Sequence, residues 1–209
     1  MKKCITLFII VIFSIHQLVA QKYHSQSIPI ELSLFNNGSF MPGSGVLGIW
    51  SPTVHPGISA GTRFYYKEKQ KSELFQTVKI GYFYHRFAQH GVQLYTELGY
   101  RYNFTKRFFG EARLGLGYLL SIPDLQVFEF QQGSYATKNN KARSQFMGGL
   151  SLHIGYDFQD IIHQPIDLFT GYQFWVQSPF VNGYVPLLPN NSVHLGIIYY
   201  LPKKKSHDQ

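Results

Sequence analysis

Two short stretches carry the residues best suited to chemistry: "YTELGYRYNF", residues 95–104, and "GEARLG", residues 110–115. They flank the turn Thr105-Lys106-Arg107. If the two run antiparallel about Lys106, residues whose numbers sum to about 212 face each other, so Arg101 opposes Glu111 and Glu97 lies diagonally from Arg113. Two carboxylates so close can act as acid and base, or the four groups can line a narrow conduit. Each carboxylate also has an arginine within reach, which suits a brace between strands better than a proton donor. We therefore expect Glu97, Arg101, Glu111 and Arg113 to form a structural salt-bridge cluster, with no catalytic residue.

Weaker candidates are "SLHIG", residues 151–155, and "SVHLG", residues 192–196. Each sets a serine and a histidine two apart: Ser151 with His153, and Ser192 with His194. A serine nucleophile needs a base within hydrogen-bond reach. Polar pairs on one face are equally expected in any polar interior. The histidines at 55, 85, 90, 153, 163 and 194 are dispersed and show no metal-ligand spacing, although His55 and His90 should share one end of the molecule. No glycine-rich phosphate cradle is present, so neither metal nor cofactor is expected.

The elements that hold these residues are strands. From Val92 to Phe104, one side reads Val, Leu, Thr, Leu, Tyr, Tyr, Phe and the other Gln, Tyr, Glu, Gly, Arg, Asn. Residues 110–120 and 145–158 split the same way. Such period-two alternation puts every charged candidate on one face and leaves an apolar face opposite. Eight strands are expected, at about 28–35, 57–67, 73–86, 91–104, 108–121, 142–158, 166–177 and 192–201. The first is the least regular, since Pro29 interrupts it and "GVLGIW" at 45–50 competes for its place.

Composition narrows the setting. Aromatic residues make up 17% of the 209 residues and charged residues only 14%, against about 25% charged in an average globular domain. The first twenty residues, with Lys2 and Lys3 ahead of an apolar run from Ile5 to Ile15, have the layout of a secretory signal peptide. The one cysteine, Cys4, precedes that run, so cleavage after Ala20 leaves no disulfide chemistry. Losing Lys2 and Lys3 takes 19 basic residues to 17 against 11 acidic, a formal +6. Export removes nucleic acid as a partner, and anionic lipid headgroups fit the excess better.

The connections sort by length: 36–56, 122–141 and 178–191 are long, and most of the others are short turns. Outer-membrane barrels have this asymmetry, with short periplasmic turns and longer outer loops. The strands "GISAGTRFYY", "YTELGYRYNF", "EARLGLGYLL" and "LSLHIGYDF" resemble those of the small eight-stranded outer-membrane barrels, the OmpX-like and OmpA-type transmembrane domains. The resemblance implies an all-β, antiparallel, up-and-down transmembrane barrel over residues 21–201, in a Gram-negative type envelope. A signal peptide at 1–20 would precede it and a basic periplasmic tail at 202–209 would follow, with both termini periplasmic. It also implies contact with lipid and lipopolysaccharide-type headgroups, handling by the barrel assembly machinery, and a protein partner as a candidate at the outer loops. Where such chains end on an aromatic, this one continues past Leu201 with "PKKKSHDQ".

The function expected is non-enzymatic: a barrel with a side-chain-filled, salt-bridged lumen and outer loops for surface or partner contact. Two alternatives stand beside it. Some small barrels modify lipids, and the deacylase type resembles a lipid-facing His-x-Ser-Asn string that this chain lacks. A small-solute transport barrel would need an open lumen.

Overall fold

The computed structural model describes residues 27–39, 54–125, 127–131, 134–138, 142–180 and 186–202. Among the described residues ten strands occur in chain order: β1 (Ser27–Ser39), β2 (Pro56–Glu68), β3 (Ser72–His85), β4 (Gln89–Asn103), β5 (Phe108–Pro123), β6 (Val127–Gln131), β7 (Ser134–Lys138), β8 (Arg143–Asp157), β9 (Ile166–Ser178) and β10 (Leu188–Pro202). Eight close into a barrel in the order β1-β10-β9-β8-β5-β4-β3-β2, while β6 and β7 form a separate hairpin. All neighbours are antiparallel, and the seam between β1 and β10 runs from Ser27↔Pro202 to Ser39↔Asn190. Closure leaves no strand edge unpaired, the condition for putting backbone into lipid.

The connections sort by end. β1, β3, β5 and β9 finish, and β2, β4, β8 and β10 begin, at one end, here the loop end, where the described connection 86–88 also lies. Residues 69–71, 104–107 and 158–165 lie at the other, the turn end, where the barrel's first and last strands also begin and finish. The last of these turns holds a single helical turn, α1 (Gln159–Ile162). Among the described residues no helix is long and apolar enough to cross a membrane. The expected signal segment, "GVLGIW" and residues 203–209 lie outside the described residues.

Alternation assigns each strand its two faces. Leu94, Leu116 and Leu152 point out of the wall and are 57%, 66% and 68% exposed. Gln93, Glu97 and Arg113 point inward and are buried. A continuous apolar outer wall is intolerable in water and ordinary in lipid. Each barrel strand has 13 to 16 residues, more than the ~9–11 that a tilted strand needs to cross.

A narrow bore is filled by pairing large side chains with glycine. Phe75 faces Gly99 across β3 and β4, Phe109 faces Gly155 across β5 and β8, and Phe169 faces Gly196 across β9 and β10. A Cβ at any of these glycines would fall within the ring of its partner. Rings thus lie flat over the neighbouring backbone, and the wall can curve tightly around them.

Two expectations about the strands change. β1 continues to Ser39 and β10 begins at Leu188. In the added part of β1, Asn37 lines the lumen, buried opposite Ser192. Tyr65 and Tyr200, which could be grouped with the outward aromatic girdle by residue type, instead belong to the interior. Tyr65 is buried with its ring 6.0 Å from that of Phe75, and Tyr200 packs on Phe109, Phe169 and Ile198. The outward girdle at the turn end includes Tyr102 with Phe104, ring centroids 5.4 Å apart, and Phe108 with Tyr156, 4.8 Å apart.

Candidate functional site

The inward face of the turn-end half concentrates charge. The register sets Arg101 directly opposite Glu111, and Arg101 Nε donates to Glu111 Oε1 at 2.7 Å. Arg113 Nη1 lies 3.3 Å from Glu97, and Arg113 also binds Glu111. All four residues are at most 5% exposed.

The cluster extends beyond that hairpin. Glu31 of β1 is held by Arg63 at 2.5 Å, Lys79 at 2.6 Å and Arg113 at 2.9 Å. Arg63 also reaches Glu111 at 2.8 Å, and Lys79 reaches Glu97 at 2.7 Å. Asp167 of β9 accepts from Arg101 at 2.9 Å and from the Tyr200 hydroxyl at 2.9 Å. Contacts of 3.3 Å or less make one connected network of four cations (Arg63, Lys79, Arg101, Arg113) and four carboxylates (Glu31, Glu97, Glu111, Asp167), contributed by six strands, and Glu73 of β3 stands at its edge, 3.8 Å from Arg101. Rings complete the enclosure: the Arg101 guanidinium lies 3.7 Å from the Phe109 centroid, and that of Arg63 lies 4.6 Å from Phe75.

Charges removed from water must be matched or they cost several kcal/mol each. Here the sum within the network is zero, and Glu31 and Glu111 each contact three cations. The salt bridges join strands that are not neighbours in the wall, such as β1 with β5 through Glu31 and Arg113. The bore is therefore crossed by side chains at this level.

Glu31 and Asp167 were not among the candidate residues. Both were within reach of the same alternation: Glu31 shares its face with Ser33, Phe35 and Asn37, and Asp167 with Phe169, Gln173 and Trp175. Their partners were not, because contacts across the bore join residues as far apart in sequence as Glu31 and Arg113, 82 positions.

The serine-histidine pairs lie in the same lumen and not on the lipid face. Ser151 Oγ donates to Glu97 Oε1 at 3.4 Å. Ser192 Oγ donates to Asn37 Oδ1 at 2.9 Å and accepts from Trp175 Nε1 at 3.1 Å. His194 Nε2 is 3.1 Å from Gln173 Oε1 and its Nδ1 is 3.3 Å from Ser33 Oγ. Since the Gln173 oxygen can only accept, Nε2 carries the proton and Nδ1 accepts from Ser33. The buried Nδ1 of His153 has no hydrogen-bond partner. All four side chains are buried.

His55 and His90 are separated by their partners. His55 stacks on His85 with ring centroids 3.7 Å apart. His90 Nδ1 is 2.8 Å from the Tyr82 hydroxyl, and its Nε2 is 3.3 Å from Asp124. Among the described residues no group of three or more His, Cys, Asp or Glu side chains is placed to hold a metal ion.

No protein family matches the chain by its sequence pattern, and no curated protein matches it by sequence. Among solved structures it is similar to Neisserial surface protein A, with 14% identity over 83% of this chain and 95% of that one, at a TM-score of 0.46. Ail of Yersinia pestis, solved in complex with the heparin analogue sucrose octasulfate, is similar at 10% identity over 84% of this chain and 97% of that one, with a TM-score of 0.46. The N-terminal β-barrel domain of Pseudomonas aeruginosa OprF follows at 14% identity, 82% and 99% coverage and a TM-score of 0.34. The likeness is one of fold. The closed antiparallel wall, its apolar outer face and its filled bore give this chain the fold of the small eight-stranded outer-membrane β-barrels.

Proposed function

We propose that this protein is a non-enzymatic outer-membrane barrel, its lumen a brace and its loop end the surface that meets other molecules. The observation that carries the reading is the neutral network of four cations and four carboxylates tying six strands across the bore. It fixes the positions of strands that share no backbone hydrogen bonds. Such matched, buried charge suits rigidity, and it leaves no unmatched carboxylate or cation in the network to draw ions through.

The loop end points outward in this reading, with the termini and short turns in the periplasm, as loop-length asymmetry in such barrels supports. The β6–β7 hairpin, which pairs with no barrel strand, then belongs to the cell surface. The aromatic rings at the strand ends, including Tyr82 and Tyr118 on the loop side, sit where lipopolysaccharide-type headgroups would meet them. A lipid-modifying enzyme would need its nucleophile on the lipid face, whereas Ser151 and Ser192 are buried in the lumen. A transport barrel would need a bore that the network does not cross.

The test separates loops from lumen. In one variant residues 124–142 are replaced by a short turn, and in another Asp167→Asn weakens the brace at its edge. Whole cells displaying each chain are assayed for adherence to lipopolysaccharide-coated and protein-coated surfaces. The reading predicts that the loop exchange abolishes the adherence of the parent and that Asp167→Asn preserves it. Adherence unaffected by the loop exchange would remove the loop end as the working surface.

A further inference from the structure

The turn end carries a rim of exposed positive charge: Lys67, Lys69, Lys71, Lys106 and Arg107. Among the described residues of that end, Asp160 is the only exposed carboxylate. Between two of the turns lies an open groove of about 520 Å³, lined by Thr105, Lys106, Arg107 and Phe108 on one side and by Tyr156 and Asp160 on the other. Sites for small ligands have volumes of roughly 300–1,000 Å³.

The groove is built on fixed backbone. Thr105 Oγ1 accepts from the backbone N–H groups of Arg107 at 3.2 Å and Phe108 at 2.9 Å, which closes the turn. The Asp157 N–H donates to the Arg107 carbonyl at 2.8 Å and ties that turn to the end of β8. Arg107 spans the opening: Nη1 donates to the Tyr156 hydroxyl at 3.3 Å, and Nε lies 3.5 Å from Asp160 Oδ2. The side chains of Arg107 and Asp160 remain 46% and 68% exposed, and an ion pair so open adds little stability. Lys106 makes no ion pair among the described residues. Phe108 and Tyr156 belong to the outward girdle, so the groove opens where the apolar wall gives way to headgroups.

We propose that this groove holds one phospholipid by a phosphoethanolamine headgroup. The inference rests on the reading of the chain as a membrane barrel and adds a particular lipid at its turn end. Lys106 and Arg107 supply charge-assisted donors to the phosphate. Asp160 faces the same opening and accepts from the primary ammonium, which a phosphoglycerol headgroup lacks and a choline headgroup has without an N–H. A free phosphate would set an anion against Asp160 with nothing to offset it. The acyl chains then run along Leu152 and Ile154, 68% and 64% exposed on the same outer wall.

The test uses the chain from Gln21 onward, refolded into vesicles of equal parts phosphatidylethanolamine, phosphatidylglycerol and phosphatidylcholine. Heat-modifiable migration reports insertion, and native mass spectrometry from detergent counts the lipids retained. One phosphatidylethanolamine per inserted chain is expected in preference to the other two. Lys106→Ser with Arg107→Gln should lower its retention about 10-fold, the loss of a charge-assisted hydrogen bond. Asp160→Asn should abolish the preference over phosphatidylglycerol while phosphate binding persists. Soluble glycerophosphoethanolamine in excess should leave the lipid in place. Equal retention of the three lipids by an inserted parent, a preference unchanged in the inserted variants, or displacement by the soluble headgroup would overturn the site alone. A parent chain that does not insert would overturn the barrel reading together with it.

Discussion

The lumen network is unequal residue by residue, and the inequality is measurable. Glu111 contacts Arg63, Arg101 and Arg113, whereas Asp167 contacts Arg101 among the cations. Glu111→Gln takes one carboxylate from three buried guanidiniums and should lower unfolding stability by about 3–5 kcal/mol. Asp167→Asn should cost clearly less, because Arg101 keeps Glu111. Urea unfolding in detergent, followed by tryptophan emission, ranks the two; equal losses would mean that the network does not act as a connected brace. The Arg101–Glu111 and Arg113–Glu97 contacts were accessible from sequence because one short turn fixes their register. The contacts of Glu31 and Asp167 were not, since their partners lie across the bore and no local spacing encodes that.

At the scale of the strand, side matters more than residue type. Leu116 sits near the middle of β5 on the outer wall, so Leu116→Arg should destabilise the membrane-inserted barrel by about 2–4 kcal/mol. Refolding into vesicles, compared with the parent, gives the value, and a neutral result would place that wall outside lipid. Gly99 tests the opposite face: Gly99→Ala puts a methyl into the Phe75 ring and should slow refolding or lower stability, with partial recovery when Phe75→Leu is added. Alternation revealed these faces in the sequence, because period two is the geometry of a strand. Parity outweighs residue type at Tyr65, which shares its side with Arg63 and lies inside.

The whole molecule combines a neutral interior core of charge with a basic remainder. The four cations and four carboxylates of the network cancel, so the chain's formal +8 resides entirely outside it. As a closed barrel it should migrate faster in detergent gels unheated than boiled, and fractionate with the outer membrane. The central claim is that the bore is shut by side chains that cross it. Its most direct test is the conductance of the refolded protein in planar lipid bilayers. We predict no steady, stepwise conductance for the parent; a stable ohmic channel in the parent protein would contradict the account.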